Sequence, residues 1–180
     1  MMALITAVRP RKGLPEDLRA WVGADCLARL ARAVAQTFHW PETRNNQTAG
    51  TVSRLRPQMM LSLLTYCYAI GVEASQEIES GIDRDATMRN LSGGAWLTWH
   101  DIRRFRRWNR VRLQQALARL FRIVWRLRLA VGGGQAPERG LPGPARSCRW
   151  GQGQLEDELR AAAEERIERA VLLDSVALDA

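Results

Sequence analysis

The sequence predicts an all-α fold, and the spacing of its apolar residues carries that prediction. Across 180 residues, no segment alternates apolar and polar side chains with the period of two that a half-buried strand requires. Apolar residues instead recur at the three- and four-residue spacing of a helix, as in Leu113, Leu117, Leu120, Val124 and Leu127. We therefore expect a compact helical domain, punctuated by prolines and glycines where helices begin and end.

The expected domain covers residues 14–130 and follows a flexible start, residues 1–13. Its most apolar segment, 57–70, begins with Pro57 and stops before Gly71, so it should be a helix at the centre of the core. This segment is shorter than the roughly 20 residues that a membrane span needs. Together with the lack of an apolar signal segment, its length predicts a soluble, cytoplasmic protein that does not bind membranes.

Two further helical segments flank this core helix. Residues 14–40 should start a helix at Pro15, because proline suits the first helical turn and acidic Glu16 and Asp17 suit its positive end. Residues 74–94 indicate one or two short helices that end at a Gly-Gly pair.

A helix-turn-helix-like unit is expected around residue 100. Thr98 and Asp101 have the spacing of a capping box, which predicts a helix start there. If one helix ran unbroken to residue 129, Arg106 would lie on the buried apolar stripe, and burying an unpaired charge is costly. We therefore predict a break near Asn109, between a helix of residues 99–108 and another of 111–129.

The C-terminal part changes in composition. Residues 131–154 are rich in Gly, Pro and Arg and indicate a flexible linker. Residues 155–180 are predominantly acidic and predict an amphipathic helix and tail, with its apolar side formed by Leu155, Leu159, Ile167 and Val171. This acidic helix could dock on the basic helix, pair with a partner or remain loose, and the sequence leaves the three possibilities open.

The net charge of +8 favours a polyanionic partner, with nucleic acid first and an acidic membrane surface second, and nucleic acid is the partner that we expect. Lys12 is the only lysine among 27 basic residues, and the planar arginine fork suits phosphate, although GC-rich coding also explains such a bias. The basic cluster consists of Arg103, Arg104, Arg106, Arg107 and Arg110. These are the candidate DNA-binding residues, with Arg112 and Arg119 as phosphate contacts. Trp96, Trp99 and Trp108 lie beside this cluster. The alternative is a solvated helix face whose arginine stems cover apolar neighbours.

Catalytic and metal-binding patterns are missing from the sequence. It contains no nucleotide-binding loop, no dinucleotide fingerprint and no nucleophile elbow. Cys26, Cys67 and Cys148 lie far apart, which indicates reduced thiols and excludes zinc spacing, and His39 and His100 are the only histidines. We therefore expect no catalytic residue, no metal and no cofactor.

Residues 57–106 resemble the N-terminal domain of DDE-class insertion-sequence transposases of the InsH-like group. The resemblance is carried, in order, by Pro57, Tyr68, Gly71, Val72, Ser75, Glu77, Ile78, Glu79, Arg89, Leu91, Gly93, Ile102, Phe105 and Arg106. With the lead-in "LPEDLRAWVGADCLARLARAV", it covers about residues 14–129. Ala74 and Gln76 depart from the Ser and Arg of the family, and Leu97, Thr98 and Trp99 replace its Pro-Asp.

This resemblance implies binding to the terminal inverted repeats of an insertion element, the mobile DNA that such transposases move. The ribonuclease-H-type domain that carries the acidic triad of the family is missing, so a truncated transposase without strand-transfer activity is expected. Two alternatives stay open. One is a helical interaction module that forms a homodimer through Leu113, Leu117, Leu120, Val124 and Leu127, and the other is a non-functional transposase remnant.

Overall fold

A computed structural model of the chain describes residues 14–40, 56–131 and 152–176. Within these ranges the chain forms seven helices and no strand, which confirms the all-α prediction. The helices are α1 (Arg19–Val22), α2 (Ala24–Gln36), α3 (Pro57–Ala69), α4 (Ser75–Arg84), α5 (Ala86–Leu91), α6 (Trp99–Val131) and α7 (Gln152–Val176).

The first predicted helix starts later than expected and is divided in two. The Asp17 carboxylate accepts a hydrogen bond from the backbone N–H of Arg19 at 2.8 Å, and α1 begins there. The prediction that Pro15 occupies the first turn is therefore wrong. Gly23 has φ of +78°, a conformation that suits glycine, and it separates α1 from α2.

Helix α3 is the central helix of the core, as predicted. It begins with Pro57 at its first position, and every residue from Met60 to Ala69 is buried. Helices α2 and α6 pack against it. After α3 the chain turns at Gly71, whose φ of +81° again suits glycine. Tyr68 near the end of α3 and Ser75 at the start of α4 both accept hydrogen bonds from Arg106.

The segment before the basic helix forms two short helices. The carboxylate of Asp85 accepts from the backbone N–H of Thr87 at 2.7 Å and of Met88 at 3.2 Å, so it caps α5 directly after α4. The chain leaves α5 through Gly93 and Gly94, both with positive φ, which confirms the predicted stop.

Helix α7 packs along α6 and shares its core. Its buried side consists of Leu159, Ala163, Ile167 and Ala170, so of the three possibilities for the acidic segment, docking is the observed one. Val171 was expected on this apolar side but is 43% exposed. The predicted N-terminal segment 1–13, most of the predicted linker, 132–151, and the end of the predicted tail, 177–180, fall outside the described residues.

The described helices also bear on the membrane question. None of them combines the length and the apolar composition that crossing a bilayer requires.

Candidate nucleic-acid interface

The basic helix begins with the predicted capping box. Asp101 Oδ2 accepts from the Thr98 backbone N–H at 3.1 Å and from its hydroxyl at 2.7 Å. In return, the Thr98 hydroxyl oxygen accepts from the Asp101 N–H at 3.3 Å. This reciprocal pair satisfies N–H groups that a helix end leaves without partners, so it fixes the start of α6.

Helix α6 is kinked at Asn109, where the break was predicted. Asn109 has φ of −121° and ψ of 24°, which are not helical values, and its side-chain amide donates to the Phe105 carbonyl at 3.1 Å. The kink divides α6 into a first arm, residues 99–108, and a second arm, residues 110–131. Because of this kink, the two arms do not share one continuous helical face.

The physical reason for the break is nevertheless not the exclusion of Arg106 from the core, because Arg106 is buried. Its side chain is 4% exposed and forms an ion pair with Asp174 of α7. It also donates to the Tyr68 hydroxyl at 3.0 Å and to the Ser75 hydroxyl at 3.3 Å. Asp174 further accepts from the Ser75 N–H at 2.9 Å, which caps the start of α4. The Asp174 carboxylate, which belongs to a helix far away in sequence, thus offsets the free-energy cost of burying the Arg106 charge.

Arg106 therefore does not fit the prediction that it contacts DNA. Its hydrogen bonds and its ion pair all point into the interior, and its burial leaves almost no surface for a phosphate or a base edge. Burial also raises the pKa of the Tyr68 phenol to about 12, with Arg106 opposing the rise, so this tyrosine stays neutral beside the pair.

The outward side of the first arm carries three exposed polar residues at helical spacing, which we call the outward face: His100, Arg104 and Arg107. Trp108 lies at the edge of this face. Trp108 is 70% exposed, and the Arg104 guanidinium lies 4.9 Å from the centre of its ring. Within the described residues, neither Arg104 nor Arg107 forms an ion pair with a carboxylate. Their charges therefore face solvent.

A groove of about 610 Å³ lies between the first arm and the C-terminal end of α7. It brings together five of the predicted residues: the buried Arg106 and the more exposed Arg103, Arg104, Arg107 and Arg110. The other lining residues are His100, Trp108, Val171 and Asp174. The wall contributed by α7 thus includes an apolar side chain as well as the buried carboxylate.

Three ion pairs show that α7 runs antiparallel to α6. Glu156 lies 3.1 Å from Arg122, and Glu168 lies 3.2 Å from Arg110. These two pairs are the same number of residues apart on both helices. Asp174, further along α7, lies 3.5 Å from Arg103 Nε, further back along α6. The acidic residues therefore cover one side of α6 and leave the outward face open.

Arg112 and Arg119 lie apart from the groove. The Arg112 guanidinium stacks 4.8 Å from the ring of Trp40, and that of Arg119 lies 4.7 Å from the ring of Phe38. Arg119 also donates to the Thr37 hydroxyl at 2.9 Å. Both side chains thus cover aromatic residues that follow α2, and neither of them lines the groove.

The apolar stripe proposed for a homodimer is unavailable for that role. Leu113, Leu117, Leu120 and Val124 are fully buried within the chain, where they pack in the common core. Only Leu127, at 38%, retains substantial exposure. Dimerisation through this stripe would require the bundle to open, so this prediction is wrong for the folded chain.

Sequence reasoning missed Arg166, the anchor of α7. Its side chain is 5% exposed and donates to the carbonyls of Pro15 at 2.7 Å, Glu16 at 2.9 Å and Tyr68. It also lies 5.0 Å from the ring of Phe121, and burial lowers its pKa. A signal was present, because Arg166 lies three residues after Ala163 and four residues before Ala170, which is the spacing of one helix face.

The acidic residues, histidines and thiols of the described ranges do not assemble into a metal site. Within those ranges, no group of three or more His, Cys, Asp or Glu side chains converges as a metal ion would require. Burial raises the pKa of the Cys67 thiol far above its ordinary value, so this cysteine is an unreactive core residue. Cys148 falls outside the described residues.

Comparison with known proteins adds no relative to this picture. No protein-family model, curated protein or solved structure matches the chain.

Proposed function

We propose that the chain binds duplex DNA through the outward face of the first arm of α6. The observation that carries this proposal is the exposure of Arg104 and Arg107 on one side of a capped helix, without carboxylate partners among the described residues. Arg103 and Arg110 flank them at the border with α7. Exposed arginines on a single helix can neutralise phosphates and reach base edges in a major groove.

The position of α7 supports a single mode of approach. Because α7 covers the side of the basic helix next to the outward face and pairs there with Arg103 and Arg110, the outward face is the part of this helix that remains available to a groove of DNA. The capping box and the buried ion pair between Arg106 and Asp174 fix the first arm within the fold. The backbone positions of its exposed arginines are therefore fixed before DNA binds. This preorganisation lowers the conformational entropy that binding would otherwise cost.

The resemblance to insertion-sequence transposases supplies the sequence that we propose as the target. In that family, the N-terminal domain is expected to recognise the terminal inverted repeats. If six phosphates are neutralised, the logarithm of the association constant should fall with the logarithm of salt concentration with a slope of roughly −5.

The experiment is a titration of fluorescent duplexes at two salt concentrations, with the inverted repeats of a related insertion sequence and a scrambled duplex. We expect tighter binding to the repeats, and loss of binding in the variant Arg104→Glu with Arg107→Glu. The matched control is Arg29→Glu with Arg126→Glu, which makes the same charge change at exposed positions on α2 and the second arm.

Three outcomes separate the possibilities. Loss of binding in the first variant alone supports the outward face. Equal loss of binding in both variants would show that DNA affinity depends on net charge alone and would overturn the proposed site. Equal, steeply salt-dependent binding of repeats and scrambled duplex would retain DNA binding but overturn the repeats as target.

A further inference from the structure

Trp108 has an unusual position for a large aromatic side chain. It is 70% exposed, whereas tryptophan is highly buried on average. It lines the groove between the first arm and α7, and the Arg104 guanidinium lies 4.9 Å from its ring centre. The exposed fraction leaves much of the indole surface uncovered beside a concentration of positive charge.

The groove matches the chemistry of a nucleotide. Its volume of about 610 Å³ falls within the range of about 300–1,000 Å³ that is typical of small-molecule sites. An indole face stacks on any nucleobase, and Arg104 and Arg107 in the same lining supply charge for the adjoining phosphates. Val171 adds an apolar contact on the α7 side.

The carboxylate of Asp174 in the lining of the groove should repel a bound anion only weakly. Asp174 is 6% exposed, and its carboxylate is engaged by Arg106 and by the N–H and hydroxyl of Ser75. Its charge is therefore paired inside the chain. The arginines at the mouth of the groove are more exposed, at 48% for the Arg110 side chain and 31% for Arg103.

A paired base cannot use such a site. In duplex DNA the faces of each base are covered by its neighbours, and only the edges are accessible in the grooves. A base reaches an aromatic face in a pocket only when it is unpaired or extruded from the stack.

We propose that the groove binds one unpaired nucleotide of a DNA strand, with its base on Trp108 and its phosphates on Arg104 and Arg107. This inference rests on the proposed function, since it assigns the same arginines to a strand that continues from the bound duplex. The chain then binds a duplex with an unpaired end or a gap more tightly than a blunt duplex of the same sequence.

The test measures fluorescence anisotropy of the full chain with three labelled DNAs: a blunt duplex, the same duplex with an unpaired three-nucleotide end, and the single strand. In Trp108→Ala we expect about tenfold weaker binding to the two DNAs with unpaired bases. Blunt-duplex affinity should stay within about twofold. Trp108→Phe keeps an aromatic face and should retain part of the preference.

Trp96→Ala is the matched control, because Trp96 is 85% exposed and does not line the groove. It should leave all three affinities unchanged. Circular dichroism of each variant checks that the helices are intact, and the exposure of both side chains makes unfolding unexpected.

The results distinguish this inference from the proposed function. Unchanged binding of unpaired DNA by Trp108→Ala overturns the inference, as does equal loss on all three DNAs. If Arg104→Glu with Arg107→Glu retains blunt-duplex binding, the proposed function fails instead. A chain that binds none of the three DNAs overturns both.

Discussion

At the scale of single residues, buried charges decide the arrangement of this chain. Arg106, Arg166 and Glu73 are each at most 5% exposed, and each finds partners far away in sequence. Arg106 and Arg166 are satisfied by several hydrogen bonds. Glu73 forms an ion pair but its buried Oε1 accepts no hydrogen bond, since Arg169 Nη2 lies 2.9 Å from this atom without hydrogen-bond geometry.

Glu73 should make stability depend on pH. Burial raises the pKa of its carboxyl from 4.5 to about 7, with Arg169 and Arg166 opposing the rise and Glu16 and Glu165 adding to it. Between these values the folded chain holds a proton that the unfolded chain releases. The favourable contribution is complete below about pH 4.5 and is lost as the pH rises through about 7.

Urea denaturation between pH 4 and pH 8 measures this effect. The free energy of unfolding of the wild type should fall relative to Glu73→Gln, by at most about 1.4 kcal/mol per pH unit. Glu158→Gln removes an exposed carboxylate and should leave the wild-type pH dependence intact. If the difference in unfolding free energy between the wild type and Glu73→Gln stayed constant across this pH range, it would contradict the assignment of the pH dependence to Glu73.

At the scale of elements, α7 is joined to the bundle at several points along its length. Arg166 binds carbonyls before α1 and at the end of α3, and Asp174 joins α7 to α4 and α6. Sequence alone could predict that residues 155–176 form a helix. It could not choose among docking, pairing with a partner and remaining loose, because an acidic amphipathic helix at a chain end is compatible with all three, even though charge complementarity favours docking.

Removal of the Asp174 carboxylate should weaken this docking strongly. Asp174→Ala leaves the Arg106 charge buried without its ion-pair partner and removes the cap of α4, so we expect a loss of about 3–5 kcal/mol in unfolding free energy. Glu168→Ala breaks the exposed pair with Arg110 and should cost less than about 1 kcal/mol.

Urea denaturation followed by circular dichroism compares the two variants. The double variant Arg106→Met with Asp174→Leu should recover much of the loss, because it removes both buried charges. A loss below about 1 kcal/mol in Asp174→Ala would show that the pair is not what holds α7.

At the scale of the whole molecule, the net charge of +8 is distributed unevenly. The acidic residues of α7 lie against one side of α6, and the outward face remains basic. This distribution limits where a polyanion can bind, since a strand that approaches from the side of α7 meets carboxylates such as Glu168.

Neutralising Glu168 should therefore strengthen DNA binding under the proposed function. Glu168→Gln frees Arg110 from its pair, and we expect about two- to fivefold tighter binding at low salt that disappears at high salt. Glu158→Gln makes the same charge change at an exposed position nearer the start of α7 and should have the smaller effect. Equal gains in both variants would indicate net charge alone.

The sequence by itself determined the helical class, the core helix α3 and the capping box at Thr98. Each of these follows from local spacing, or from the preference of particular residues for helix ends. The break at Asn109 was predicted in the right place, but from a burial cost that the tertiary structure removes. Only the tertiary structure decided which arginines face solvent. Arg106 is buried because a carboxylate 68 positions further along the chain neutralises it, and no local pattern encodes that partner. The outward face was therefore predicted as a group of arginines, and the packing of α7 fixed which of them belong to it.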